Sequence, residues 1–448
     1  MKKTISGFSR LSKAEKVAWV AEQFFQGPEQ AAEELKGFWH QNEEVQRVLD
    51  GFSENTISNY YLPFGVAPNF LINGRAYAVP MAIEESSVVA AASSAAKYWM
   101  SRGGFKAEVL STRKLGHVHF IWEGDVQKLQ RHFQELEARL RHDAAHLTAN
   151  MEQRGGGVLD IRLRDMSQLE PYYYQLEVHF ETCDSMGANF INSVLEEFSS
   201  TLQIFVQEHP AFEGAERQLE AIMAILSNYT PECIVRASVE CPVEALAIGP
   251  DDPMSPEEFV RKFTKAVRIA QIDPYRATTH NKGIFNGVDA VVLATGNDFR
   301  AIEACGHTYA ARDGQYRSLS HCTAENGIFR FWLDLPLALG TVGGLTRLHP
   351  IARRSLEMLG NPSAPELMGI IAATGLAQNF AALRSLVTTG IQKGHMKMHL
   401  MNILNHLAAT EQEAREAVGY FSDKAVSFTA VREFLALARR EVRVKGKG

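Results

Sequence analysis

Asp273-Pro-Tyr-Arg-Ala-Thr-Thr-His-Asn-Lys-Gly-Ile-Phe-Asn286, followed by Ala294-Thr-Gly-Asn-Asp298, is the stretch on which the reading of this chain turns. It gathers a guanidinium (Arg276), an amine (Lys282), two amides (Asn281 and Asn286) and glycines, and it closes on the carboxylate Asp298. The apolar run Val291-Val292-Leu293-Ala294 between them reads as a buried strand or helix segment. Lys282 beside Gly283 predicts a turn that carries the amine into a cleft, where an ammonium can face a developing oxyanion. An ordinary polar loop with a solvated lysine fits the same residues.

The rest of the composition narrows the class. The chain has 448 residues, enough for two or three domains. It is 46% hydrophobic and 22% charged, as soluble globular proteins are. A net charge of -6 argues against a nucleic-acid partner. Five scattered cysteines without a CxxC pair fit neither a disulfide framework nor a zinc knuckle, and point to the reducing cytoplasm. The basic start Met1-Lys-Lys is not followed by an apolar core, and no uninterrupted apolar run reaches the roughly 20 residues of a membrane span.

Outward from the central stretch, residues 1–50 carry helical patterns, with Ser12 and Glu15 in capping-box positions. Val79-Pro-Met-Ala-Ile-Glu-Glu-Ser-Ser-Val-Val-Ala90 reads as a loop feeding a helix. One of the paired acids, Glu84 or Glu85, is a candidate proton donor; first-turn acids that merely complement the helix dipole are the alternative. Residues 112–226 change character. Strand alternation at 117–122, 158–162 and 175–180, with helical patterns around 125–147 and 190–208, reads as a separate α+β unit with an antiparallel sheet. Within it, Asp184-Ser-Met-Gly-Ala-Asn189…Asn192 is a strand–turn–helix with small residues at the turn, the way backbone amides approach a phosphate. It is not GxGxxG, so a Rossmann fingerprint is absent. Strands are expected at 234–240 and 329–334, a hairpin turn at Asn326-Gly327, and helix over 351–385. His395 and His399 are four apart, but HMKMH lacks the glutamate of HExxH and a third ligand, so no metal is expected. His395 after Gly394 on a C-terminal element is an acid/base candidate.

Taken together, these blocks resemble 3-hydroxy-3-methylglutaryl-CoA reductase of the soluble bacterial type (class II). Pro80-Met-Ala-Ile-Glu-Glu-Ser-Ser-Val-Val-Ala is similar to the family's catalytic-glutamate segment, and Asp184-Ser-Met-Gly-Ala-Asn-Phe-Ile-Asn192 to its dinucleotide-binding DxMGxNxxN. Asp273 to Gly283 resembles its lysine loop, Ala294 to Asp298 its aspartate segment, Gly340-Thr-Val-Gly-Gly344 a further glycine turn, and Gly394-His395-Met396 its mobile histidine motif. Any one of these is weak, but six in family order between residues 54 and 396 are specific. One departure is Glu54-Asn-Thr-Ile-Ser58, where the family has Gly for Ser.

The resemblance implies an α+β fold: a large, mostly helical domain (1–111 and 227–390), an inserted ferredoxin-like small domain for the nicotinamide cofactor (112–226), and a C-terminal helical flap (391–448). It implies reduction of hydroxymethylglutaryl-CoA to mevalonate and CoA, or the reverse, with catalytic Glu85, Lys282, Asp298 and His395. Cofactor binding falls to Asp184, Met186, Gly187, Ala188, Asn189 and Asn192; Arg154, beside a glycine triplet, favours NADPH over NADH. Substrate binding falls to Ser87, Arg276, Asn286 and Gln378. Dimers or assemblies of dimers with interfacial active sites are implied as well. Competing expectations are another CoA-thioester or aldehyde oxidoreductase on this scaffold, and a catalytically silent CoA-binding assembly protein.

Overall fold

Ser363 starts the element around which the rest packs. Its hydroxyl accepts the Glu366 amide, and the Glu366 carboxylate accepts the Ser363 amide at 2.8 Å, a reciprocal cap that launches the helix Ala364–Val387. Every residue of this helix from Leu367 to Phe380 is buried. By length and composition it would also pass for a membrane span, but here the apolar surface is covered by protein. The structure is a computed structural model that describes residues 4–246, 254–388, 400–421 and 424–445.

The helix Pro274–Ala294 lies against this core helix. Asp273 caps it by accepting the Tyr275 amide at 3.0 Å, and Pro274 takes the first-turn position, where its missing N–H costs nothing. The turn expected at Lys282-Gly283 is therefore not there: both residues are inside a continuous helix. The glycines at the interface serve packing. A Cβ on Gly287 would stand 2.8 Å from the Thr374 carbonyl oxygen and 2.9 Å from Gln378 Cβ; one on Gly375 would stand 2.8 Å from Val288 Cγ2. The two backbones approach through reciprocal glycines.

Ten strands are found among the described residues: β1 Phe64–Ile72, β2 Arg75–Ala82, β3 Lys106–Thr112, β4 Lys114–Trp122, β5 Gly157–Asp165, β6 Tyr173–Glu181, β7 Leu219–Leu226, β8 Cys233–Pro242, β9 Ser320–Glu325 and β10 Ile328–Pro336. They form a β1–β2 hairpin and two four-stranded antiparallel sheets, ordered β3-β8-β10-β9 and β5-β6-β4-β7. Both short turns carry the Asn-Gly pair in left-handed conformation, at Asn73-Gly74 and Asn326-Gly327, as right-twisted hairpins require. The strands β1, β2, β3, β7 and β9 go beyond those expected from the sequence, and β2 takes in Val79–Ala82, the start of the stretch read as a loop.

The second sheet is built in the order β4, helices, β5, β6, helix Ala188–Glu208, β7. It encloses its own apolar cluster, including Phe120, Leu140, Leu176, Phe198 and Leu202, distinct from the larger cluster around the core helix. The chain passes from β3 in one sheet to β4 in the other through the single residue Arg113. Beyond residue 400, Leu404, Phe421, Val431 and Leu435 gather a third, small cluster that draws on the helices Glu411–Tyr420 and Phe428–Lys445.

Gly287→Ala tests the helix–helix contact. Alanine gains about 1 kcal/mol in helix propensity, but its methyl meets a backbone carbonyl that cannot rotate away, and overpacking costs about 1–3 kcal/mol. A net loss of stability is expected in urea unfolding; a variant more stable than wild type would refute the close approach.

Candidate active site

The rotation of the helix Pro274–Ala294 about its axis is set by two buried polar side chains. Asn281 donates to the Arg317 carbonyl at 2.8 Å and accepts the Leu319 amide at 3.0 Å. His280 Nε2 is 2.6 Å from Ser320 Oγ, whose hydroxyl donates to Asn379 Oδ1 of the core helix at 2.8 Å. That donation leaves Ser320 Oγ to accept, so His280 carries its proton on Nε2. With these two residues turned inward, Lys282 projects outward.

The Lys282 ammonium meets Glu85. Nζ is 3.0 Å from Glu85 Oε2, while the Ser87 hydroxyl donates to Glu85 Oε1 at 3.1 Å. Glu85 occupies the N-cap position of the helix Ser86–Met100 without capping it through its side chain, so the carboxylate is turned toward the lysine. The Lys282 side chain is 63% exposed and that of Glu85 35%. Such a half-open pair adds little stability.

Asp298 has other partners among the described residues. It caps the helix Phe299–Ala310 by accepting the Arg300 and Ala301 amides, and it takes the Arg300 guanidinium through both oxygens, at 3.0 and 2.8 Å. Burial pushes its carboxyl up, but the Arg300 and amide hydrogen bonds outweigh this and hold it below the usual range. Asp298 is thus a carboxylate held by Arg300, while the lysine's ion pair is made to Glu85.

Three of the four substrate-binding candidates fall on the elements that carry Glu85 and Lys282, and the fourth, Gln378, on the core helix. Ser87 touches Glu85. Asn286 follows Lys282 by one helical turn, so the two share a face. Arg276 is half-buried, and burial lowers its pKa. Gln378 is 5% exposed on the core helix, with its Oε1 lacking a hydrogen-bond partner. A buried amide oxygen left bare is costly unless something else supplies a donor.

The turn Asp184–Asn189 leads into the helix Ala188–Glu208. Gly187 is left-handed (φ 90°) at its N-cap, and a Cβ there would strike Thr182 at 2.5 Å. No side chain caps this N-terminus, which leaves its first amides to other partners. Met186 lines a small cavity together with Lys114 and Ile191. Two of the expected cofactor residues have structural partners: Asp184 Oδ1 accepts the Ala364 amide at 2.7 Å, and Asn192 Oδ1 accepts the Leu226 amide at 2.9 Å. Arg154 is exposed, and its carbonyl accepts from Cys183 Sγ at 3.3 Å, which brings it beside the turn from far away in sequence.

Comparison with known proteins decides the family. The family model for hydroxymethylglutaryl-coenzyme A reductase matches residues 13–400. The chain belongs to the hydroxymethylglutaryl-coenzyme A reductase family. It is 36% identical to the 3-hydroxy-3-methylglutaryl-coenzyme A reductase of Archaeoglobus fulgidus, over 93% of this chain and 90% of the relative. It is 33% identical to the probable reductase of Borreliella burgdorferi, over 84% and 82%. The class II reductase of Streptococcus pneumoniae bound to NADPH in open conformations superposes with a TM-score of 0.71 at 38% identity, covering 86% of this chain and 100% of that one. Family membership sets the activity as reduction of hydroxymethylglutaryl-CoA to mevalonate by a reduced nicotinamide.

His395, assigned to a flap by the family's histidine motif, lies outside the described residues, as do Gly394, Met396 and His399. Elsewhere His132, Glu135 and His209 form a cluster that no sequence motif announces. His209 Nδ1 accepts the Ala211 amide, so its proton sits on Nε2 and donates to Glu135 Oε2 at 3.1 Å. Metal ligation through Nε2 would need that proton on Nδ1 instead, against an amide N–H, so this is a hydrogen-bonded cluster. The contacts of Lys114, Asn297 and His280 likewise escape sequence reasoning, because their partners Ser185, Gly340 and Ser320 are distant in sequence.

Burial, and then the Arg276 cation, push His280 down to about 3 from 6.5. The unfolded chain therefore binds a proton that the folded chain refuses. The stability His280 contributes is present above its unfolded pKa and lost as pH falls, by about 1.4 kcal/mol per pH unit. Denaturant midpoints from pH 7 to pH 4 are expected to fall more steeply in wild type than in His280→Gln; parallel slopes would remove the assignment.

Proposed function

We propose that Glu85, Lys282, Asp298 and His395 carry the reduction in this chain, on a nicotinamide held at the Asp184–Asn189 turn. The observation that supports this most directly is the Lys282 ammonium 3.0 Å from the Glu85 carboxylate at a half-open surface. Two molecules of reduced nicotinamide, bound one after the other, would each supply one hydride to the same carbon, the first taking the thioester to the aldehyde level and the second taking the aldehyde to the alcohol.

Both transfers load negative charge onto the former carbonyl oxygen, and the Lys282 ammonium stabilises it. Glu85, already in contact with the lysine, replaces the proton this oxygen takes up. Asp298 places a second carboxylate on the other side of the Lys282 ammonium. Its Arg300 pair must open, or an adjoining protomer must present it, for that role. His395 protonates the departing CoA thiolate; a free thiol has a pKa of about 8.5. Arg276 takes the substrate carboxylate in a forked contact, and Gln378, with its bare oxygen, accepts the substrate hydroxyl. Ser87 and Asn286 complete the pocket.

The domain reading follows. The βαββαβ segment 112–226 is the inserted ferredoxin-like unit for the cofactor, residues 1–111 and 227–390 form the substrate domain, and 391–448 the flap. Arg154 favours the 2′-phosphate of NADPH, which initial rates with each reduced nicotinamide decide. A homodimer, or an assembly of dimers, completes the site.

Lys282→Ala is expected to lower kcat by about 10²–10³ or more with the fold intact by circular dichroism. Near-normal turnover would sink the assignment. His395→Ala is expected to impair reduction of the thioester more than reduction of free mevaldehyde, since only the thioester releases a thiolate. Equal losses on the two substrates would count against it.

A further inference from the structure

Lys114 opens β4, the strand entered directly after the one-residue crossing between the two sheets. It is 4% exposed. Its ammonium donates to the Ser185 carbonyl at 3.0 Å and, closely, to Thr182 Oγ1, whose own hydroxyl donates to the same carbonyl at 2.6 Å. Glu181 and Asp184 supply nearby negative charge. Glu181 in turn accepts the Cys183 amide at 2.8 Å and the Thr112 hydroxyl. The segment 181–185 thus wraps around one buried cation.

Burying an ammonium is expensive, and an apolar side chain of that length would suit the fold as well or better. The ion is therefore better explained by what it holds. Thr182, gripped by Lys114, is also the side chain against which Gly187 rests with no room for a Cβ. The Gly187 amide donates to Ser185 Oγ at 3.0 Å. Lys114 fixes Ser185 and Thr182; these fix Gly187; and Gly187 sets where the uncapped amides of the helix Ala188–Glu208 point.

We propose that Lys114, acting through Thr182, is a positioning residue that shapes the nicotinamide turn and so sets affinity for the reduced cofactor. It touches neither substrate nor reacting atoms. The inference rests on the assignment of the cofactor to the Asp184–Asn189 turn.

The test is Lys114→Met, with Thr182→Val and Thr182→Ser beside it, in the full-length protein. Removing a hydrogen bond to a charged group is expected to raise KM for the reduced nicotinamide by about tenfold or more in Lys114→Met. KM for hydroxymethylglutaryl-CoA and kcat at saturating cofactor stay near wild type. Thr182→Val moves the cofactor KM in the same direction, while Thr182→Ser, which keeps the hydroxyl, restores it. Should Lys114→Met fail to fold, the Val and Ser pair decides alone. An unchanged cofactor KM in the variants, or equal rises in both KM values, overturns the proposal. Titration of NADPH fluorescence separates the two levels. Wild-type binding lost on Gly187→Val supports the turn as the cofactor site, so that equal binding by wild type and the Lys114 and Thr182 variants then overturns only the lysine's role. Binding that survives Gly187→Val overturns the turn assignment and the proposal with it.

Discussion

The contact between the helices Pro274–Ala294 and Ala364–Val387 is the constraint on which the rest depends. Gly287 and Gly375 let the two backbones approach until neither has room for a methyl group. Dispersion and burial act along the whole interface, but they do not fix how each helix is rotated. Rotation is fixed by polar groups: His280 to Ser320 to Asn379, and Asn281 to the Arg317–Leu319 backbone. A buried polar atom out of register costs more than a methyl out of place, so these bonds select one arrangement. Lys282 points at Glu85 because its neighbours in sequence cannot point anywhere else.

A second joint links the turn assigned to the cofactor with the catalytic elements. Asp184 caps the core helix through Ala364 and accepts the Thr341 amide on its carbonyl. Gly340 lies so close to the turn that a Cβ would stand 2.6 Å from the Met186 nitrogen, and its own amide donates to Asn297 beside Asp298. Glycine at 340 is thus explained by backbone meeting backbone. A shift of the turn would be felt at the N-terminus of the core helix and next to Asp298, through rigid contacts.

Much of this is legible from residue order. The Asn326-Gly327 hairpin, the Ser12–Glu15 capping box, and the alternation in β4, β5, β6, β8 and β10 are local signals with local causes, and they appear where expected. The strands β1, β2, β3, β7 and β9 are not legible, because their pairing depends on neighbours brought in by the fold. Lys282-Gly283 misleads for a related reason. Glycine in a polar run reads as a turn, yet the helix that starts at the Asp273-Pro274 cap runs through Gly283 without a break. Helix packing against the core outweighs the modest propensity cost of that glycine.

By itself the sequence determined the family and with it the activity, because six motifs stand in the family's order. The tertiary structure alone decided how the residues of those motifs are held. It gave Lys282 to Glu85 and Asp298 to Arg300, turned Asp184 and Asn192 toward backbone amides, and placed an unannounced lysine, Lys114, beneath the glycine turn. The reason is physical: a motif specifies a side chain, but its hydrogen-bond partner comes from whatever the close-packed interior brings alongside.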